Sequence, residues 1–234
     1  MAPARLAVMA AACAVLVACG GEALTLPPLE PLSPLACTST GATVRMQLYG
    51  DSTQAGTAAG RGLRGRTPAI WLQADMDALF GAGAVVVEDR AVPSTTARQL
   101  LDGTDGENGP WPTSVDADIA VVNHGINDAG HGATTDEYKA RLEALLVAPA
   151  RVVLETPNPT KGFDMEPYAK AMREVAAARG APLADTFTYV AELPGGGTSY
   201  LSDWAHPTED LYGHIVRHAL VPTLTPLVRE KRCK

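Results

Sequence analysis

The feature that most constrains this chain is an alternation. Five short apolar runs, TVRMQLYG (43–50), AVVVED (84–89), IAVVNHG (119–125), RVVLETP (151–157) and the weaker APLADTF (181–187), are separated by segments of helical periodicity. Three of the runs are nearly continuous in β-branched residues, as strands covered on both faces of a parallel sheet should be. The segments between them, PAIWLQADMDALFG (68–81), STTARQLLDG (94–103), TTDEYKARLEALLV (134–147) and MEPYAKAMREVAAARG (165–180), carry apolar residues three and four apart. Three of these four close on glycine, a helix C-terminal signal, and Thr134-Thr135-Asp136-Glu137 and Asp164-Met165-Glu166 read as helix starts. EDLYGHIVRHALVPTLTPLV (209–228) reads as a last helix, kinked by Pro222. Alternating strand and helix predicts an α/β sandwich whose functional groups collect at the carboxyl ends of the strands.

A chain of 234 residues, 46% hydrophobic, has material for one sizeable core. Its formal charge of −7 argues against nucleic acid, which calls for clustered Lys and Arg. A monomer is expected. The first residues read as an export signal: Arg5, then LAVMAAACAVLVA, too short to span a bilayer comfortably. Leu16-Val17-Ala18-Cys19 resembles the bacterial lipobox, which implies that Cys19 carries lipid. An ordinary signal peptide cut nearby is the alternative. Gly20, by resemblance to bacterial sorting preferences, implies a lipid-anchored cell-envelope protein on the outer membrane, facing the periplasm. The organisation expected is a signal peptide over 1–18, a Pro-rich tether over 19–36 and a catalytic domain over 37–234. Export makes disulfides possible, and Cys37 and Cys233 bracket that domain. No CxxC spacing points to zinc or redox chemistry.

Three polar constellations stand at predicted strand ends or before the last helix. YGDSTQ places Ser52 directly after the first strand. NHGINDAG (123–130) places Asn123, His124, Asn127 and Asp128 after the third. SDWAHPTED (202–210) holds Asp203 and His206 three residues apart. That spacing lets a carboxylate accept from one ring nitrogen while the other faces a hydroxyl, the base-and-orienter arrangement a serine nucleophile needs.

Gly50-Asp51-Ser52, Gly125-Ile126-Asn127-Asp128 and Asp203-Trp204-Ala205-His206 resemble, in order, the GDS, GxND and DxxH blocks of the GDSL/SGNH hydrolases, over about residues 43 to 228. The resemblance implies a three-layer α/β/α fold of SGNH-hydrolase (flavodoxin-like) type, with a five-stranded parallel sheet, and ester hydrolysis without a cofactor or metal. It makes Ser52 the nucleophile, His206 the general base and Asp203 its orienter. The Asn127 amide and the Ser52 N–H would bind the oxyanion. Where the family's remaining block places a glycine, this chain has Ser94, whose N–H can still donate but whose Cβ restricts φ. The substrate implied is a small-molecule or glycan-borne ester: a short-chain acyl ester, or alternatively an acetylated polysaccharide. A non-catalytic envelope binding module is the reading from another class.

Other residues have competing readings. Ser52 could be a turn or cap serine, and Asp185 is a rival orienter. His124 and His131 could line the cleft, and Trp111 and Phe163 could wall the pocket or pack in the core. His214 and His218, four apart, fit an exposed helix face better than a metal pair. GRGLRG (60–65) matches the dinucleotide fingerprint GxGxxG but starts ten residues past Gly50, too far to form the first strand-to-helix turn.

Overall fold

The computed structural model of the protein describes residues 25–36, 41–58, 61–62 and 66–233. The export signal, Cys19 and Cys37 lie outside these residues. Strands β1 (Val44–Gly50), β2 (Val85–Asp89), β3 (Ile119–Asn123), β4 (Arg151–Glu155) and β5 (Leu183–Ala184) form one parallel sheet in the order β2-β1-β3-β4-β5. The order reverses between β1 and β3, so the crevice of this doubly wound sheet opens beyond their carboxyl ends. There Gly50 pairs in register with Asn123.

Side-chain alternation along the strands feeds two cores. Val44, Met46, Leu48, Ile119, Val121 and Val153 point to one face, against α1 (Pro68–Phe80) and the C-terminal helices. Tyr49, Ala120, Val122, Val152 and Leu154 point to the other, against α2 (Ala97–Asp102), α4 (Thr135–Leu145) and α5 (Glu166–Arg179). These are the three expected layers. Helix ends follow the sequence signals: Thr96–Gln99 and Thr134–Glu137 form reciprocal capping boxes, and α2 and α5 close on left-handed Gly103 and Gly180.

Four segments depart from expectation. The fifth strand has only two residues, because Asp185 caps a short helix, α6 (Thr186–Ala191), inside the run read as strand. A further short helix, α3 (Ile126–Gly130), follows β3. The last helix runs further than expected, as α7 (Glu209–Ile215), a π-helical stretch (216–220) and α8 (Val221–Arg232). Pro222 has no N–H to close a regular turn, and the turn just before it is widened into the π-helical form. Within the Pro-rich segment, residues 25–36 form no helix or strand, yet they lie on the domain. Leu35 donates its N–H to Leu79 O (2.8 Å), His214 Nε2 is 2.9 Å from Pro27 O, and Leu32 and Leu35 pack on the core. His214 is therefore buried, not on an exposed face; His218 alone of that pair is exposed. Cys233 is disulfide-bonded.

Candidate active site

Ser52 stands two residues past the end of β1, in a turn held by the strand beside it. Asp51 donates its N–H to Asn123 O (3.3 Å), Ala55 donates to Asp51 O (3.0 Å), and Thr57 to Ser52 O (2.8 Å). Only glycine fits at position 50: a Cβ there would lie 2.4 Å from Asn123 O and 2.5 Å from Gln54 Cβ. Asp51 is buried and braces the turn, its Oδ1 accepting from the Thr53 N–H (2.9 Å) and hydroxyl (2.8 Å). Burial pushes its carboxyl above the usual range, with nearby His124 and Thr53 opposing the shift.

Asp203 and His206 arrive from the loop before α7. Asp203 Oδ1 accepts the N–H groups of Ala205 (2.9 Å) and His206 (2.8 Å), which fixes the loop, and its Oδ2 lies 2.7 Å from His206 Nδ1. The other ring nitrogen, Nε2, lies 2.8 Å from Ser52 Oγ. Partial burial of Asp203 acts to raise its pKa, but the two N–H donors and the His206 ring outweigh it and hold the carboxyl below the usual range. An ionised acceptor at Nδ1 keeps a proton on that nitrogen and leaves the Nε2 lone pair facing the hydroxyl. Such an arrangement can take the Ser52 proton as Oγ becomes a nucleophile.

The third wall comes from α3 and the loop before α2. Asn127 donates through Nδ2 to Thr95 O (3.0 Å), which uses one of its two amide hydrogens. Ser94, immediately before, has φ of 65°, the only positive φ at a non-glycine residue among those described. The backbone thus keeps the glycine-type conformation with serine in place. The N–H groups of Ser52 and Ser94 make no hydrogen bond among the described residues. Asp203 and His206 thus meet Ser52 just past the carboxyl end of β1, while Asn127, on the helix that follows β3, is tied to the turn of Ser94 and Thr95.

Several other residues resolve differently from the sequence reading. Asp128, to which no role was assigned, is fully buried. It accepts from the Ala97 N–H (3.0 Å) and from Arg141 Nη1 (2.8 Å), tying the start of α2 to α3 and α4. His124 is buried, with Nδ1 unpaired among the described residues, and does not line a cleft; His131 is exposed. Trp111 packs in the core, edge-on to Tyr49 at 5.2 Å, while Phe163 is at the surface. The Asp185 carboxylate is taken by Arg173 (2.8 Å) and Thr188 (2.9 Å), so it is not the partner of His206. Of GRGLRG, residues 61–62 form a short antiparallel ribbon with 57–58, and 60 and 63–65 lie outside the described residues. No group of three metal-ligating side chains placed to hold an ion occurs among the described residues.

A parallel sheet with a serine–histidine–carboxylate chain at its switch point places the protein among α/β hydrolytic folds. The profile of the GDSL-like lipase/acylhydrolase family matches residues 48–213, and the chain belongs to that family. It is an ester-hydrolysing enzyme. No curated protein sequence matches it. Among solved structures it is similar to Axe2, an acetylxylan esterase from Geobacillus stearothermophilus, at 18% identity and a TM-score of 0.64, over 80% of this chain and 96% of that one. It is also similar to a lipase/acylhydrolase from Enterococcus faecalis, at 20% identity and a TM-score of 0.65, over 82% of this chain and 99% of that one. At these identities the likeness is one of fold.

Proposed function

We propose that the chain hydrolyses short-chain carboxylic esters through an acyl-enzyme on Ser52. The observation that carries the proposal is the unbroken chain from Ser52 Oγ to His206 Nε2 (2.8 Å) and from His206 Nδ1 to Asp203 Oδ2 (2.7 Å). As Oγ attacks the acyl carbon, its proton passes to Nε2, and the imidazolium is stabilised by Asp203. The carbonyl oxygen, now negative, is taken by the N–H groups of Ser52 and Ser94 and the second amide hydrogen of Asn127. Collapse breaks the bond to the alcohol oxygen, which receives the Nε2 proton. Water then repeats the sequence on the acyl-enzyme, giving up a proton to Nε2 as its oxygen bonds to the acyl carbon. The bond to Oγ breaks, Oγ recovers the proton, and the acid leaves.

Turnover of ethyl acetate tests these roles. Ser52→Ala and His206→Ala should each lose roughly 10⁵-fold or more in kcat; Asp203→Asn should lose less, about 10⁴-fold. Asn127→Ala should lose about 10² to 10³ in kcat with little change in KM. Full turnover in Ser52→Ala overturns the mechanism. The acetylxylan esterases among the similar folds favour a second reading, O-deacetylation of a polysaccharide by the same chemistry. We also propose, from the lipobox-like Leu16–Cys19 stretch, that Cys19 anchors the enzyme to a membrane; unchanged membrane retention of Cys19→Ser would reject this.

A further inference from the structure

Of all the Phe, Tyr and Trp residues, only two are exposed among those described: Phe163 (42%) and Trp204 (45%). They touch, with ring centroids 5.7 Å apart and planes at 76°, and Trp204 meets the His206 ring edge-on at 6.5 Å. Single exposed apolar residues need no explanation, but two large rings in contact beside a reactive histidine do.

The pair is built in. Lys161 donates its N–H to Trp204 O (2.7 Å), and the buried Asn158 amide donates to Ala205 O (2.9 Å), lacing the 158–164 loop to the His206 loop. Thr160 and Phe163 bond each other twice, hydroxyl to carbonyl (2.8 Å) and N–H to hydroxyl (3.0 Å). Gly162 makes room for the indole, since a Cβ there would lie 2.8 Å from Trp204 Cε3. On its far side the Phe163 ring lies 3.6 Å from the place of a Cβ on Gly130, the last residue of α3, the helix that carries Asn127.

We propose that Trp204 and Phe163 form the docking corner for the alcohol half of the substrate, and that this half is a sugar ring. The inference rests on the Ser52–His206 reading above. Its first part follows from the direction of proton transfer. His206 must deliver its proton to the leaving oxygen, so the alcohol half lies on the histidine side, while the carbonyl oxygen faces Ser94 and Asn127. Trp204 is on the histidine side, and Phe163 continues the surface from it towards α3. Its second part follows from shape and surroundings. Two rings at 76° make an open corner that covers one face of a flat, rigid group and leaves its edges in water. Lys161 and Asp164, in the same loop as Phe163, and His131, next to the Gly130 that faces the Phe163 ring, are all exposed and carry hydrogen-bonding groups. A sugar ring offers C–H faces to the aromatic surfaces and hydroxyls to such groups; an alkyl alcohol has no use for them.

The test compares kcat/KM on three substrates, acetylated xylotriose, ethyl acetate and ethyl octanoate, in wild type, Trp204→Ala, Phe163→Ala and Trp204→Phe. Fluorophosphonate labelling of Ser52 serves as the control in each. The ratio of acetylated xylotriose to ethyl acetate should fall about tenfold or more in both alanine variants, the scale expected when a half-exposed ring stops covering apolar surface. The fall should come mainly through KM on the sugar ester, and Trp204→Phe should restore most of it, with Ser52 still labelled throughout. An unchanged ratio overturns the inference, because the pair is then packing only. A selective loss on ethyl octanoate also overturns it, making the corner an acyl-chain wall. Absence of labelling at Ser52 in the wild type would instead bring down the reading beneath it, and the inference with it.

Discussion

Ser94 concentrates the tension between this chain and its family. An L-residue in the left-handed region costs roughly 1–2 kcal/mol relative to the right-handed one, because its Cβ crowds the carbonyl oxygen. The chain accepts that cost where an unpaired N–H is aimed by the turn between Val92 and Thr95, a turn also held by the Thr95 hydroxyl on Val92 O (2.7 Å). Glycine at this position relieves the strain but adds freedom to the unfolded chain, an offset of roughly 0.5–1 kcal/mol. Ser94→Gly should therefore stabilise by roughly 0.5–1 kcal/mol in urea unfolding, with turnover kept, since only the N–H is used. Destabilisation of that size would mean that the serine hydroxyl has a structural partner. Gly50 is the opposite case: the backbone of β3 fills the space its side chain would need.

Among the elements, α3 is short but governs the site, because it holds Asn127 on its outer side and Asp128 on its buried one. Asp128 gives one oxygen to the N-terminus of α2 and the other to Arg141 of α4. Removing it leaves Arg141, whose side chain is 21% exposed, and the Ala97 N–H without their carboxylate. Asp128→Ala should destabilise by about 3 kcal/mol or more, the usual result of breaking a buried pair from one side. Loss of less than about 1 kcal/mol in urea would show that water replaces the carboxylate there. Which elements could be read from sequence follows the same logic. Strands β1, β3 and β4 and helices α1, α4 and α5 are long enough for apolar periodicity and caps to declare them. Helix α2 is equally short but is announced by its apolar spacing and closing Gly103, whereas α3 and α6, of five and six residues, show no such pattern and exist because tertiary contacts hold them. Ser52, Asp203 and His206 were legible because each sits in a short polar block after an apolar run or before a helix. The tasks of Asp128, Thr95 and Trp204 were not, because their partners come from distant stretches. The packing of residues 25–36 was hidden because prolines leave no periodic pattern to reveal a buried side.

At the scale of the molecule, the sheet crevice gathers more than the reacting groups. Glu155, at the end of β4, is 2% exposed and accepts from the Thr186 hydroxyl (2.9 Å). Burial pushes its carboxyl up to about 7, with Thr186 opposing the shift. The folded chain thus keeps a proton that the unfolded chain, with its carboxyl at an ordinary 4.5, gives up. The contribution to stability is full below about pH 4.5 and is lost as pH rises through about 7. Glu155→Gln cannot titrate, so the stability of wild type relative to this variant should fall by roughly 3 kcal/mol as pH rises across that window. Melting curves whose difference does not change with pH would contradict it.

The account as a whole turns on Ser52 being the group that attacks the ester. A fluorophosphonate bonds to a serine only when that hydroxyl is activated, so mass spectrometry of the labelled, digested protein reads the claim at one atom. The modification should fall on Ser52 alone and nearly vanish in His206→Ala, with that variant still folded by circular dichroism. A labelled residue other than Ser52, or full labelling of His206→Ala, would contradict the account.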